Sequence, residues 1–157
     1  MIKHGKILVP TDFSEQSSEA LRRAVELATL HHAEIHLLHV MEPAIYFETD
    51  MIPVSPVNEI NNAMRKGANK RLEKQAVEAG FPVIMHMEES TGEPARTICM
   101  FAESMPVDLI LIGRHGHQGP LEHFLIGSTA ERVVRHANCS VLVAMPHGLF
   151  SDVSNEE

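Results

Sequence analysis

The chain has 157 residues, of which 44% are hydrophobic and 22% are charged. This length is typical of a single domain, and this share of apolar residues can form a hydrophobic core, so a disordered chain is not expected. Lysines and arginines number 13 against 21 aspartates and glutamates, which gives a formal net charge of −8. Because proteins bind nucleic acids mainly through positive charge, a nucleic-acid partner is not expected either.

From the sequence we expect neither a membrane-spanning segment nor a leader peptide. No segment approaches the roughly 18 consecutive apolar residues that a spanning helix needs, and residues 1–6 lead directly into a strand-like run. Cys99 and Cys139 are 40 positions apart, outside any metal-binding spacing. We therefore expect two buried thiols, a reducing cytoplasmic location and no membrane partner.

The first elements in chain order are a strand, a helix and a second strand. Residues 6–10 form a nearly continuous apolar run, typical of a strand that is buried on both faces. Turn and cap residues follow, and apolar side chains at helical spacing predict a helix from Ser14 or Ser17 to about His31. These apolar side chains are Leu21, Ala24, Val25 and Ala28. Residues 35–40 predict the second strand.

A long connection precedes the second helix. Residues 41–57 contain three prolines and show neither the helical nor the strand periodicity of apolar residues. Connections between a strand and a helix usually have roughly two to six residues, so we expect this longer segment to form a lid. A helix is predicted at residues 58–79, and Gly80 and Pro82 end it. Its apolar positions, spaced by four, are Ile60, Met64, Ala68, Leu72 and Ala76. Residues 82–87 predict the third strand.

The remaining elements complete the alternation of strands and helices. Pro94 suits the first turn of a helix, because its missing N–H would be unpaired there in any case. The apolar surface of this helix is expected from Ile98, Met100, Phe101 and Ala102. A buried strand is predicted at 109–112, a helix at 128–136 and a fifth strand at 141–144.

Five strands that alternate with four helices predict an α/β fold. We expect a Rossmann-like three-layer α/β/α sandwich with a five-stranded parallel sheet, formed by residues 1–146, and a C-terminal tail at residues 147–157. In such sheets ligands bind at the carboxyl ends of the strands, where the strand order reverses. The alternation alone leaves the strand order open.

The residues after the fourth strand are suited to binding phosphate. Gly113, Arg114 and Gly116 are followed by residues 127–129, Gly-Ser-Thr, at a predicted helix start. Glycines let backbone amides approach an anion closely, and a helix start offers free N–H groups and a favourable dipole. Arg114 is the one cation that the sequence places there to meet a polyphosphate, and a divalent ion such as Mg²⁺ would share that charge.

Pro10, Thr11 and Asp12 end the first strand. The carboxylate of Asp12 would accept hydrogen bonds from an adenine amino group or a ribose hydroxyl if the sheet brings the two strand ends together. An aspartate two residues before Ser14 also suits a turn or a helix cap. The residues alone leave both roles open.

Together these segments closely resemble the universal stress protein family. The resemblance covers residues 3–145 and rests on residues 6–14, 38–40, 92–94, 113–116 and 127–128. In the ATP-binding members of that family, a glycine, two residues and a glycine are followed by nine residues and a glycine with serine or threonine. Here ten residues separate Gly116 from Gly127. We expect the additional residue to bulge outward near Gly119 and Pro120.

The resemblance implies the strand order 3-2-1-4-5 and a site for ATP, ADP or AMP with Mg²⁺. The residues that would line the adenine and ribose are Pro10, Thr11, Asp12 and the backbone of Val40. Those that would flank or hold the phosphates are Gly113, Arg114, Gly116, Gly127, Ser128 and Thr129. It further implies a homodimer through the fifth strand and a non-enzymatic switch or adaptor in the stress response, with unknown protein partners.

Two alternatives of a different class stay open: a dimeric interaction module that has lost nucleotide binding through the inserted residue, and a slow ATPase. No nucleophile motif or P-loop lysine is present, so no catalytic residue is expected.

A response-regulator receiver would need an aspartate on the third strand, where Glu88 and Glu89 stand instead. The 11 histidines form no ligand pattern, so no metal site is expected, and His36 and His39 are expected to bond to neighbours in the sheet.

Overall fold

Five strands and four helices alternate along the chain. The computed structural model describes residues 5–44, 57–90, 92–115 and 126–145. Its elements are β1 (Lys6–Thr11), α1 (Glu15–His31), β2 (Glu34–Met41), α2 (Val57–Glu78), β3 (Val83–Glu89), α3 (Pro94–Ser104), β4 (Leu109–Gly113), α4 (Ser128–His136) and β5 (Ser140–Ala144). Most of the expected lid, Gly116, the inserted residue and the tail at 147–157 lie outside the described residues.

The strands form one parallel sheet in the order β3-β2-β1-β4-β5, which confirms the predicted fold and strand order. Central β1 pairs with β2 on one side, where Thr11 lies opposite His39, and with β4 on the other, where Leu8 lies opposite Ile110. The strand order therefore reverses between β1 and β4. A ligand is expected at the carboxyl ends of these two strands.

Two apolar clusters hold the helices on the two faces of the sheet. Ile7 and Val9 point into a cluster shared with α1 and α2, whereas Leu8 points into a cluster shared with α3 and α4. All three side chains are fully buried. Each such side chain contributes about 1.5–3 kcal/mol to folding. Burial on both faces explains why β1 has a continuous apolar sequence rather than an alternating one.

Local signals in the sequence fix the ends of the helices. Ser14 caps α1, because its side chain accepts a hydrogen bond of 3.2 Å from the backbone N–H of Ser17. Pro94 occupies the first turn of α3, as expected. After α2, Gly80 has a φ of +62°, a conformation that glycine adopts without strain.

Burial differs from the sequence expectation at several apolar positions. In α2, Leu72 is buried but Ile60 and Met64 are exposed, because the helix buries only Leu72 and Gln75 against the sheet. Met100, which was expected to supply apolar surface in α3, is also exposed. Cys99 and Cys139 are both free thiols, and Cys99 is buried as expected whereas Cys139 is half-buried.

Within the described part of the chain, no helix is both long enough and apolar enough to span a bilayer.

Candidate functional site

A cleft of about 730 Å³ opens where the strand order reverses. This volume lies within the range of small-molecule sites, roughly 300–1,000 Å³. Nine of the residues predicted for the ligand site line it, namely Pro10, Thr11, Asp12, Val40, Gly113, Arg114, Gly127, Ser128 and Thr129. The tenth, Gly116, lies outside the described residues. The fold thus brings together segments that are more than a hundred positions apart in sequence.

The start of α4 forms one side of the cleft. Gly127 is the N-cap residue of α4. It has no side chain that could accept hydrogen bonds from the first N–H groups of the helix. The N–H of Gly127 donates a hydrogen bond of 2.7 Å to the carbonyl oxygen of Arg114. This bond holds the start of α4 beside the end of β4. The resulting edge presents N–H groups, two hydroxyls and a helix dipole that favours an anion.

Steric packing explains why residues 113 and 127 are glycines. It does so more directly than a close approach of their backbone amides to an anion. A Cβ atom at Gly113 would lie 2.8 Å from the carbonyl oxygen of Gln16, in the first turn of α1. A Cβ atom at Gly127 would lie 3.0 Å from the carbonyl oxygen of Arg114. Both neighbours are backbone atoms and cannot rotate away. The glycines therefore let α1 and α4 approach the end of β4.

Two arginines line the cleft, so the expectation of a single cation is wrong. Arg114 is only 6% exposed. The side chain of Arg132 is 56% exposed, and its Nη1 lies 3.6 Å from Oε1 of Glu93. Arg132 follows Ser128 by four positions in α4, so that both lie on one face of the helix. That spacing is the signal by which the sequence could have identified it.

A buried polar network connects α2 to the end of β1. The hydroxyl of Thr11 lies 2.7 Å from Oε1 of Gln75 and 3.0 Å from the hydroxyl of Ser17. It also accepts a hydrogen bond of 3.0 Å from the backbone N–H of Phe13. Nε2 of Gln75 in turn donates to the hydroxyl of Ser18, at 3.1 Å. Gln75 has no motif to mark it and was missed by the sequence interpretation.

Asp12 has the turn role that the sequence left open. Its Oδ1 accepts a hydrogen bond of 3.0 Å from the backbone N–H of Ser14, which closes the turn before α1. The residue also lines the cleft. A carboxylate can accept more than one hydrogen bond, so a turn role and a place in the cleft are compatible.

His39 bonds to a sheet neighbour, as expected, and also lines the cleft. Its Nδ1 is 2.9 Å from the carbonyl oxygen of Thr11, so this nitrogen carries the proton and donates. The ring contacts that of Phe13 in a tilted arrangement, at a centroid distance of 4.4 Å, and the guanidinium of Arg71 lies over the Phe13 ring. Burial, and to a smaller extent Arg71, lowers the pKa of His39 below 6.5.

Two further histidines, His36 and His115, make hydrogen bonds to neighbours, the first through its ring and the second through its backbone. Nδ1 of His36 lies 3.0 Å from Nε2 of His86 on the adjacent strand. At the cleft, the backbone N–H of His115 donates to Oε1 of Gln16, at 2.9 Å, and burial followed by the charge of Arg114 lowers the pKa of the His115 ring. Among the residues that the structure describes, no group of three or more His, Cys, Asp or Glu side chains could hold a metal ion.

The fold and cleft define the class as a doubly wound α/β protein with a cleft at its topological switch point, where such folds bind ligands. Sequence comparison then gives the family. The model of the universal stress protein family matches residues 3–144, and the chain belongs to this family.

Relatives match nearly the whole domain. A curated universal stress protein of Methanocaldococcus jannaschii is 37% identical over 144 residues, which cover 89% of this chain and 81% of that protein. The solved structure of the universal stress protein UspA from Lactobacillus plantarum has a TM-score of 0.70 at 29% identity, with 91% of this chain and 99% of that chain covered. A universal stress protein from Archaeoglobus fulgidus, solved in complex with dAMP, has the same fold, with a TM-score of 0.60, 21% identity and coverage of 92% and 100%.

Proposed function

We propose that the cleft binds an adenine nucleotide and that the protein acts as a non-enzymatic, nucleotide-dependent switch or adaptor in the stress response. The observation that carries the proposal is the composition of the phosphate side. The start of α4, with Ser128 and Thr129, and the two arginines Arg114 and Arg132 all border one cleft of an otherwise acidic protein. Backbone N–H groups, hydroxyls and arginines are the groups that bind phosphate oxygens.

Other residues of the cleft suit a purine base. Val40 and Met64 give the cleft an apolar lining, and Asp12 and His39 add hydrogen-bonding groups. An aromatic base is bound by apolar contact together with a few polar groups that fix its orientation. The dAMP complex of the Archaeoglobus protein supports adenine as the base, since that protein shares this fold.

ATP, ADP and AMP all fit this chemistry, and Mg²⁺ would accompany the longer phosphate chains. Mg²⁺ usually binds through phosphate oxygens and one or two carboxylates, and Asp12 is a carboxylate in the cleft. The two free thiols fit a reducing compartment, and we place the protein in the cytoplasm. Phosphate release in proportion to protein concentration would distinguish a slow ATPase from the switch.

Substitution of Ser128 by aspartate tests the site. Ser128 is the first residue of α4, where a negative charge stabilises a helix, so Ser128→Asp is expected to fold normally. The same charge repels phosphate, and we expect the affinity for ATP, measured by isothermal titration calorimetry with Mg²⁺, to fall about tenfold or more.

The matched control is Ser140→Asp, which adds the same charge at the start of β5, at the opposite end of the sheet from the cleft. The affinity of this control for ATP is expected to equal that of the wild type. An unchanged affinity in Ser128→Asp would contradict the site assignment. A wild type without binding below millimolar ATP would favour the interaction module that has lost its nucleotide.

We also propose that the protein forms a homodimer through β5. This strand lies at one edge of the sheet, and Val141–Val143 are all apolar, with Leu142 exposed. The other edge strand, β3, ends in Glu88 and Glu89, which discourage pairing. An apolar edge without charges suits association with a second copy about a two-fold axis.

Leu142→Lys places a charge on the β5 edge and is expected to convert the dimer to a monomer in analytical ultracentrifugation. Ile84→Lys, at an exposed apolar position of the β3 edge, is the control and is expected to remain dimeric. A monomeric wild type at micromolar concentration, or dissociation by both substitutions, would contradict pairing through β5.

A further inference from the structure

Arg132 lies outside the glycine motif from which the sequence predicts the phosphate-binding residues. It follows Ser128 by one turn of α4, so the two side chains share a helix face. The Cα–Cβ bonds of a helix tilt toward its N-terminus, and a long side chain one turn into the helix therefore extends over the first turn. The guanidinium of Arg132 is consequently well placed for an anion at the start of α4.

The two arginines of the cleft differ in the freedom of their side chains. Arg114 is 6% exposed and is packed at the end of β4. Arg132 is 56% exposed. It also borders a second, smaller depression on α4, together with Ser128, Glu131, Arg135 and His136, and its exposure places its side chain at the outer rim of the cleft. A ligand that extends outward from the strand ends would reach Arg132 last.

The ion pair between Arg132 and Glu93 is weak enough to exchange. Its atoms are 3.6 Å apart, beyond the ordinary hydrogen-bond range of about 2.7–3.2 Å, and both side chains are exposed. Exposed ion pairs of this kind contribute little to stability. Glu93 is the N-cap residue of α3, but its carboxylate makes no capping hydrogen bond to that helix.

We infer that Arg132 determines the preference of the site for nucleoside triphosphates over monophosphates. This inference rests on the proposed nucleotide site. Without a ligand, Arg132 pairs with Glu93 across the rim of the cleft. The terminal phosphate of a triphosphate reaches the start of α4, displaces Glu93 and binds the guanidinium of Arg132, whereas the single phosphate of a monophosphate stays near the end of β4, beside Arg114, and leaves the ion pair intact. Glu93 thus competes with the terminal phosphate for the same cation.

Affinities for AMP, ADP and ATP in Arg132→Gln test the inference. Loss of a charge-assisted contact is expected to weaken ATP binding about tenfold, while AMP binding changes less than about twofold. The control is Arg135→Gln, which removes the same charge from the same helix at a residue that pairs with Glu131 and does not line the main cleft. The ratio of the ATP and AMP dissociation constants is expected to stay at the wild-type value in this control.

Glu93→Gln gives a second readout, of opposite sign. Removal of the competing carboxylate is expected to strengthen ATP binding about threefold and to leave AMP binding unchanged. A general structural disturbance would not raise affinity. If the wild type binds nucleotides but neither substitution changes the ratio of ATP to AMP affinity, the role of Arg132 is wrong and the nucleotide site stands. If the wild type binds none of the three nucleotides, the proposed function itself is wrong.

Discussion

Gly113→Ala is expected to lower the free energy of unfolding by about 2–4 kcal/mol, although it adds a single methyl group. The added Cβ would lie 2.8 Å from the carbonyl oxygen and 2.9 Å from the carbonyl carbon of Gln16. These are backbone atoms in the first turn of α1, so relief requires the helix to move away from β4. That movement would loosen the buried contacts of Leu21 and Ala24, which lie in the same apolar cluster as β4.

Urea unfolding monitored by circular dichroism measures this effect, and the chain offers a control of opposite sign. Gly67 lies in α2, where an added Cβ meets nothing within 4 Å. Alanine forms helices more readily than glycine, so Gly67→Ala is expected to stabilise the protein by about 0.5–1 kcal/mol. Equal unfolding midpoints for Gly113→Ala and the wild type would contradict the packing explanation.

Thr11→Val is expected to destabilise the protein by about 2–4 kcal/mol, because it removes a hydroxyl and keeps the shape of the side chain. Oε1 of Gln75, in a buried residue, and the backbone N–H of Phe13 would lose this partner, whereas the hydroxyl of Ser17 keeps its hydrogen bond to the carbonyl oxygen of Ser14. A buried polar group without a partner costs more than the lost hydrogen bond itself contributed. Since Thr11 also lines the cleft, nucleotide affinity is expected to fall as well.

Thr11→Ser keeps the hydroxyl and is the control, with an expected loss of about 1 kcal/mol for the missing methyl group. In the double variant Thr11→Val with Gln75→Leu, the amide that had lost its partner is removed too, so the total loss is expected to be smaller than the sum of the two single losses. Strict additivity of the two substitutions in denaturant unfolding would show that Thr11 and Gln75 do not act together.

The sequence predicted the elements because their signals are local. The predicted fourth helix, residues 128–136, agrees with α4 at both ends, and each predicted strand lies within two residues of the observed one. Apolar runs in strands that are covered on both faces, and a proline or a cap at helix starts, do not depend on distant residues. Whether an apolar side chain is buried does depend on distant residues. Met64 and Met100 lie at apolar positions of the helical pattern, yet both are exposed in the structure.

The candidate site was predictable where a motif marked it. Asp12 and residues 127–129 follow predicted strands or begin a helix, and parallel topology brings such positions to one edge. Arg132 and Gln75 carry no motif. Their roles arise from a helix face that meets the cleft and from a side chain of α2 that reaches β1 over 64 positions of sequence.

The sequence by itself determined the α/β alternation, the segments that carry phosphate-binding chemistry and the acidic overall charge. Only the tertiary structure decided which of the charged side chains meet in the cleft, that Arg114 is buried while Arg132 is exposed beside Glu93, and that Gly113 is needed for the approach of α1. The physical reason is that periodicity and capping act over one or two helical turns, whereas steric contact and ion pairing depend on the distance in space between residues that are far apart in the chain.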